Sequence, residues 1–317
     1  MLVADELDIT AASADASFRR YFRIRQDDKT FIVMDAPPDK EDVRPFVKVA
    51  KLLHAAGVHV PQVLAEDVAN GYLLLTDLGA QTFLDVLNED NADALFSTAI
   101  DALIQWQLAS QPNVLPVYDD ALLRRELSLF PDWYIAKHLQ VALDSKQQTS
   151  LQTMFELIIS TNLAQASVFV HRDYMPRNLM MSNPNPGVLD FQDAVYGPIS
   201  YDVASLFRDA FISWPEAQVI DWAARYWERA RDAGLPMPQD FGQFYRDLEW
   251  MGLQRHLKVL GIFARINYRD GKPKYLADTP RFINYVRQVG ERYDALRPLM
   301  RLFDQLEGKQ RQVGYTF

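Results

Sequence analysis

The chain contains no cysteine. That excludes disulfides, thiolate nucleophiles and cysteine-ligated metals, and it agrees with a reducing compartment. Glycine is scarce at 13 in 317 residues, and no two glycines stand as G-x-G. A dinucleotide fingerprint and a glycine-rich phosphate loop are therefore both missing. The patterns G-x-x-x-x-G-K-[ST] and G-x-S-x-G are absent as well, which removes the P-loop and the nucleophile elbow. His54, His59, His138, His171 and His256 are the only histidines, none paired at helical spacing, so a histidine zinc site is not expected. No apolar run is long enough to cross a bilayer. The opening MLVADELDIT lacks the basic-then-apolar layout of a secretory signal. These absences lead us to expect a cytoplasmic protein with no membrane partner. Positive charge is also in deficit: 33 Lys and Arg against 42 Asp and Glu leave a net charge of −9. A nucleic-acid partner is not expected, because the phosphate backbone rewards a basic face. Any phosphate handled here must be met by a local basic group or a metal.

What is present is the composition of a globular chain, 49% hydrophobic and 24% charged. Its character changes near residue 79. Before it, short β-rich runs cover Ser17 to Arg25, Thr30 to Asp35 and Leu73 to Thr76, with Asp27-Asp28-Lys29 as a hairpin turn. Pro37-Pro38 ends the second run. Val43, Phe46, Val47, Ala50 and Leu53 recur at helical spacing up to a stop at Gly57. Val58 to Leu64 and Tyr72 to Thr76 read as a further hairpin joined through Asn70-Gly71. The expectation is a small antiparallel sheet with one crossing helix.

Beyond Gly79 the periodicity is helical over Phe83 to Asn88, Ala92 to Leu108, Leu122 to Leu139 and Leu151 to Ala164. It resumes over Tyr201 to Phe207, Pro215 to Ala233, Phe244 to Ile266 and Arg281 to Leu302. Between these groups lies a loop-and-strand island, Val168 to Ser200, where a positioned site is expected.

The island holds an apolar strand end, then His171, Asp173 and Asn178, then Gly187-Val-Leu-Asp190-Phe191. An amide and two carboxylates brought together across a hairpin make an all-oxygen site. Such donors suit Mg²⁺, which keeps waters and substrate phosphates in its shell. With Asn178 and Asp190 on the metal, Asp173 is left to accept a proton from a hydroxyl, the division of labour that phosphoryl transfer requires. The spacing H-x-D-x-x-x-x-N arises by chance in about one chain per hundred of this size, and the flanking strands lower that further. His171 reads as a structural histidine that bonds the loop. Asp193 is open between structure and function, and Asp202 reads as a helix-start carboxylate, an N-cap or a loop brace. The basic run Arg19, Arg20, Arg23, Arg25 is either a solvated face or a source of phosphate contacts.

His171 to Asn178 with Asp190-Phe191 resembles the catalytic core of the aminoglycoside phosphotransferase and choline kinase superfamily, distant relatives of protein kinases. Within it, Ser17-Phe-Arg-Arg-Tyr-Phe-Arg, Val33-Met-Asp-Ala-Pro-Pro, Leu73-Leu-Leu-Thr-Asp-Leu-Gly, Leu129-Phe-Pro-Asp-Trp-Tyr, Asp190-Phe-Gln-Asp-Ala and the run from Gln254 to Arg265 are similar to bacterial anomeric kinases of N-acetylmuramate and N-acetylglucosamine. The resemblance spans essentially the whole chain. It implies an α+β, bilobal protein-kinase-like fold, with a nucleotide-binding sheet lobe over residues 1–79 and a mainly helical catalytic and acceptor-binding lobe over 80–317. It also implies ATP and Mg²⁺, with Asp173 as catalytic base and Asn178 and Asp190 on the metal. Thr76, Asp77 and Leu78 would receive adenine, and Arg20 and Arg23 would lie near phosphate. Trp133, Arg177, Arg208 and Asp209 would form the acceptor pocket, with Tyr134 a further candidate; for Trp133 and Tyr134 lobe packing competes with sugar stacking, and Arg172, Arg177 or Arg208 would suit a lactyl carboxylate. The implied role is γ-phosphoryl transfer to the sugar C1 hydroxyl in cell-wall (peptidoglycan) recycling, by a monomer.

Two alternatives stay open from the sequence. One is a phosphotransferase for another hydroxyl, such as an aminoglycoside, choline or homoserine. The other is an inactive kinase fold that only binds. The second draws on a departure from the kinase pattern: Met34 stands where a strand lysine is expected, and Phe46 and Val47 stand near the position of its helix glutamate.

Overall fold

In a computed structural model the described residues are 8–14 and 18–308, so Ser17, at the head of the expected first strand, lies outside them. The chain divides into two units. The first comprises Met1–Pro116, Val168–Tyr196 and Glu228–Leu235, and the second Val117–Ser167, Gly197–Trp227 and Pro236–Phe317.

The first unit is built on a five-stranded antiparallel sheet of order β1-β2-β3-β5-β4, from β1 (Asp8–Ala14), β2 (Arg20–Gln26), β3 (Lys29–Asp35), β4 (Val63–Asp67) and β5 (Tyr72–Thr76). The β2–β3 hairpin closes on Asp27 and Asp28, with Gln26 paired to Lys29 and Asp27 at φ 53°. Alternation puts Tyr21, Arg23, Ile32, Met34, Leu73 and Leu75 on one face of the sheet. Met34, Leu73 and Leu75 are fully buried there. Helix α1 (Arg44–Ala55) carries the expected stripe, burying Phe46, Val47, Ala50 and Leu53, and Gly57 ends the segment at φ 81°. Gly71 cannot be replaced cheaply: it sits at φ 76°, and a Cβ would fall 1.9 Å from the Ala36 carbonyl oxygen. Helices α2 (Phe83–Val86) and α3 (Ala92–Leu108) follow, α2 opened by a Thr82–Asp85 capping box.

Two strand readings need correction. β1 gave no signal in the sequence and is a full edge strand. The first partner of β5 begins at Val63 rather than Val58. Pro61 has no N–H to give a ladder, so Val58 and Val60 are buried as extended chain ahead of the strand.

The second unit packs α4 (Asp120–Leu129), a π-helical segment Phe130–His138, α5 (Ser145–Leu163) and α6 (Tyr201–Phe207) around α8 (Phe241–Asp270). The remaining helices of the chain are α7 (Glu216–Asp232), α9 (Thr279–Arg292) and α10 (Arg297–Leu306). The expected helix Leu122 to Leu139 proves to be two geometries joined at Pro131. Proline cannot extend the i→i−4 ladder, and the bonds beyond it run to the fifth residue back, as from Leu139 N–H to the Tyr134 carbonyl at 2.9 Å. The expected helix Arg281 to Leu302 likewise breaks, at Tyr293–Leu296, ahead of Pro298. At the crossing of α8 with this region, Gly261 meets the Leu129 backbone so closely that a Cβ would stand 2.3 Å from it. A buried ionic group completes the core: Lys258 donates to Glu126 at 2.9 Å and to the Tyr201 hydroxyl at 3.1 Å. Gln254 and Tyr118 also donate to Glu126.

Candidate active site

The island is built outward from β6 (Ser167–Val170), whose last three residues are buried. His171 follows at 1% exposure, with Nε2 donating to the Leu189 carbonyl at 3.0 Å and Nδ1 accepting from the Asp173 N–H at 3.2 Å. Burial lowers its pKa to about 4, so the ring is neutral and both bonds belong to one tautomer. The structural reading of this histidine therefore holds. It joins the loop that carries Asp173 to the strand end that precedes Asp190. Tyr174 fixes the same loop to α3 through a 2.8 Å bond to the Ala99 carbonyl.

A single turn of 3₁₀ helix, Pro176–Asn178, then brings Asn178 back over the loop. Its Nδ2 donates to the Asp173 carbonyl at 2.8 Å and lies 3.5 Å from Asp190 Oδ2. Strands β7 (Leu179–Met180) and β8 (Gly187–Val188) pair as the expected hairpin, and Leu189 N–H bonds the Asn178 carbonyl at 2.9 Å. Asp190 ends it at φ 63°. A non-glycine residue in this region costs of order 1–3 kcal/mol and is held only where its surroundings require it. Here Phe191 is fully buried against Phe46 at 4.7 Å, and Gln192 donates to Asp190 Oδ1 at 2.8 Å. Asp193 is exposed, its carbonyl 3.4 Å from Arg172 Nη1. Asp202 is buried in the first turn of α6, inside the N-cap Ser200 and so not itself the cap.

Asn178 and Asp190 face a cavity of about 280 Å³ in the first unit, which Arg23, Ile32, Thr76, Asp77, Leu78 and Arg177 also line. Arg23 spans its rim, donating to Asp77 Oδ2 at 2.6 Å, Oδ1 at 3.0 Å and the Gly79 carbonyl at 2.7 Å. Burial would raise the Asp77 carboxyl, but bonds from Arg23, the Gly79 N–H and Thr30 outweigh it and hold the group below the usual carboxylate range. Arg20 stands apart. Its side chain is 64% exposed, pairs with Asp35 and leaves β2 on the face opposite to Tyr21 and Arg23.

The remaining sequence candidates lie in the second unit. Trp133 is half-buried in the π-helical segment, and Tyr134 is buried on Phe130 with its hydroxyl pushed up to about 12 by burial. Arg208 caps α6 and bonds Tyr245 at 3.2 Å and Glu249 at 3.4 Å. Asp209 accepts from the N–H groups of Phe211 and Ile212, and burial raises its carboxyl. Arg208 Nη1 and Asp209 Oδ1 are buried without a hydrogen-bond partner among the described residues. His256 is fully buried beside Arg208 and stacks on Tyr285, and helical periodicity alone marks it as core.

The donor set suits a hard cation. Asn178 commits its amide nitrogen to Asp173, which leaves Oδ1, and Asp190 adds a carboxylate. Among the described residues no cluster of three or more His, Asp or Glu side chains exists, so the protein supplies a partial oxygen set of the kind Mg²⁺ completes with water and phosphate.

A five-stranded antiparallel sheet facing an aspartate–asparagine–aspartate hairpin defines the kinase-like class of phosphotransferase folds. The chain belongs to the phosphotransferase enzyme family, whose profile matches residues 8–237. It is 56% identical to the N-acetylmuramate/N-acetylglucosamine kinase of Pseudomonas aeruginosa over 94% of this chain and 88% of that one. With the protein of the same name from Neisseria meningitidis it shares 51% identity over 98% of this chain and 95% of the other. The crystal structure of choline kinase from Cryptosporidium parvum shares the fold, with a TM-score of 0.61 at 10% identity, over 96% of this chain and 92% of that one. No helix among the described residues is long and apolar enough to cross a membrane.

Proposed function

We propose that the protein is an ATP-dependent kinase that phosphorylates the C1 hydroxyl of N-acetylmuramate and N-acetylglucosamine, serving cell-wall sugar recycling in the cytoplasm as a monomer. The observation that carries the chemistry is the single amide of Asn178, whose nitrogen donates to the Asp173 carbonyl at 2.8 Å and lies 3.5 Å from Asp190 Oδ2. The choice of acceptor rests on the curated relatives above.

In this reading residues 1–79 supply the nucleotide side and 80–317 the catalytic and acceptor side. The backbone of Thr76 to Leu78 receives adenine at the cavity rim. The Asp173 carboxylate takes the proton of the anomeric hydroxyl as that oxygen bonds the γ-phosphorus. The bond from γ-phosphorus to the bridging oxygen breaks, its electron pair leaves with ADP, and the sugar 1-phosphate departs. An anomeric hydroxyl is more acidic than an ordinary alcohol, so one carboxylate base suffices. Asn178 Oδ1 and Asp190 would hold Mg²⁺, which neutralises phosphate charge when bound. Arg177, which lines the cavity, and Trp133, Arg208 and Asp209 are assigned to the acceptor. The partnerless buried atoms of Arg208 and Asp209 support that assignment, since groups kept for a ligand cost stability until it arrives.

The test is ³¹P NMR of the protein with Mg-ATP and each sugar in parallel, with Asp173→Asn as control. A sugar 1-phosphate doublet that vanishes in the control is expected. ADP release without that doublet would discard the acceptor, and no turnover at all would discard the kinase reading.

A further inference from the structure

Kinases of this architecture neutralise their phosphates with a lysine on the third strand, held by a helix glutamate. Here that strand position is Met34, fully buried and paired with Tyr21 on the face of the sheet that lines the cavity. The facing helix α1 presents Phe46 and Val47. A cation has to come from elsewhere, and of the basic residues at the start of β2 the structure separates three. Arg20 leaves the opposite face and pairs with Asp35. Arg23 is spent on the rim, chelated by Asp77 and the Gly79 carbonyl.

Arg19 is different. Tyr21 and Arg23 share the cavity face of β2, and Arg19 immediately precedes the strand, four residues or roughly 13 Å of extended chain from Arg23. That is the span of an extended nucleoside triphosphate from base to terminal phosphates, measured from the rim where adenine is assigned. The Arg19 side chain is only 11% exposed, and Nη2 bonds Glu41 Oε2 at 3.0 Å. Glu41 stands three residues ahead of α1, is itself 15% exposed, and accepts the Phe18 N–H on its other oxygen at 3.3 Å. The pair thus joins the sheet to the lead-in of the crossing helix, the same two elements that a strand lysine and helix glutamate would join. A guanidinium offers a planar fork of donors suited to phosphate.

We propose that Arg19, positioned by Glu41, is the cation placed against the triphosphate in place of the lysine missing at Met34. This rests on the kinase reading above. The test is equilibrium binding, by calorimetry on the full chain with Mg²⁺, of adenosine and of the β,γ-imido analogue of ATP. The proteins compared are wild type, Arg19→Met, Arg19→Lys and Glu41→Gln, with the exposed Arg44→Met as control. Arg19→Met should weaken the analogue by about tenfold or more while adenosine stays within about twofold. Arg19→Lys should recover part of the loss, and Glu41→Gln should show a smaller loss of the same kind.

An analogue affinity unchanged in Arg19→Met overturns the proposal, and so does an equal loss of both ligands, which would mark a structural residue. If Arg19→Met does not fold, full analogue affinity in both Arg19→Lys and Glu41→Gln overturns it. A wild type that binds the analogue and phosphorylates sugar beside an unaffected Arg19→Met sinks this proposal alone. A wild type that binds neither ligand sinks the kinase reading with it.

Discussion

Asn178 occupies a point where one side chain performs two tasks. Its nitrogen holds the Asp173 carbonyl and, in the proposed reading, its oxygen would hold the cation, so truncation would loosen the loop and remove a ligand together. Asn178→Ala should therefore lower kcat by about a hundredfold or more while leaving adenosine binding intact, a split that steady-state kinetics and calorimetry resolve. This constellation was legible in the sequence because its spacing is local: a turn and a two-stranded hairpin bring positions 173, 178 and 190 together whatever the rest of the fold does. The clasp of Arg23 on Asp77 was not legible. Its partners lie 54 residues apart, and only the pairing of β2 through β3 to β5 makes them neighbours. For the same reason the basic run reads equally well as a solvated face, until alternation in β2 puts Arg20 and Arg23 on opposite sides.

Among the elements, those carrying strong periodicity were placed to within a residue or two, as with β3, α1, α3 and α6. Apart from the edge strand β1, the failures came where proline set the geometry. Pro61 delays β4, Pro131 turns an α-helix into a π-helix, and Pro298 divides the last long helix. In each case the apolar spacing continued across the break and masked it. Just ahead of the π-helical segment, Leu129 at the end of α4 meets α8 closely at Gly261. Gly261→Ala should force the two apart and destabilise the protein by roughly 1–3 kcal/mol, read as a drop in urea midpoint at constant m-value. Lys258→Met should cost roughly 3–5 kcal/mol by leaving Glu126 as a buried charge without its counterion, and Lys258→Met with Glu126→Gln should regain much of it in a double-mutant cycle.

For the molecule as a whole, the buried histidines set its behaviour in acid. His171 is neutral in the fold with a pKa near 4, and His256 is likewise pushed well below the usual value by burial and by the charges of Arg208 and Arg255. The unfolded chain takes up a proton at each site near pH 6.5. Below that pH the unfolded state binds more protons than the fold. Stability is thus full at neutral pH and falls as pH drops from about 6.5 towards 4. His171 accounts for about 3 kcal/mol of that loss. Urea midpoints taken between pH 7.5 and 5 should decline for the wild type and decline less steeply in His171→Gln, where His256 alone remains; parallel slopes would contradict this.

The division of the chain bears on how it can be made. The unit that holds the cavity is assembled from residues 1–116, 168–196 and 228–235, and Arg229 near the end of α7 secures it by bonding Ser97 and Asp101 on α3. On a ribosome adding about 5–20 residues per second, the sheet emerges first and waits through roughly a third of translation before Asp173 and Asp190 leave the exit tunnel. During that interval Leu75 and Ile32 face a cavity whose other wall, Asn178 and Asp190, has yet to be made. Ligand affinity would be acquired late, as a single event, rather than built up in step with synthesis.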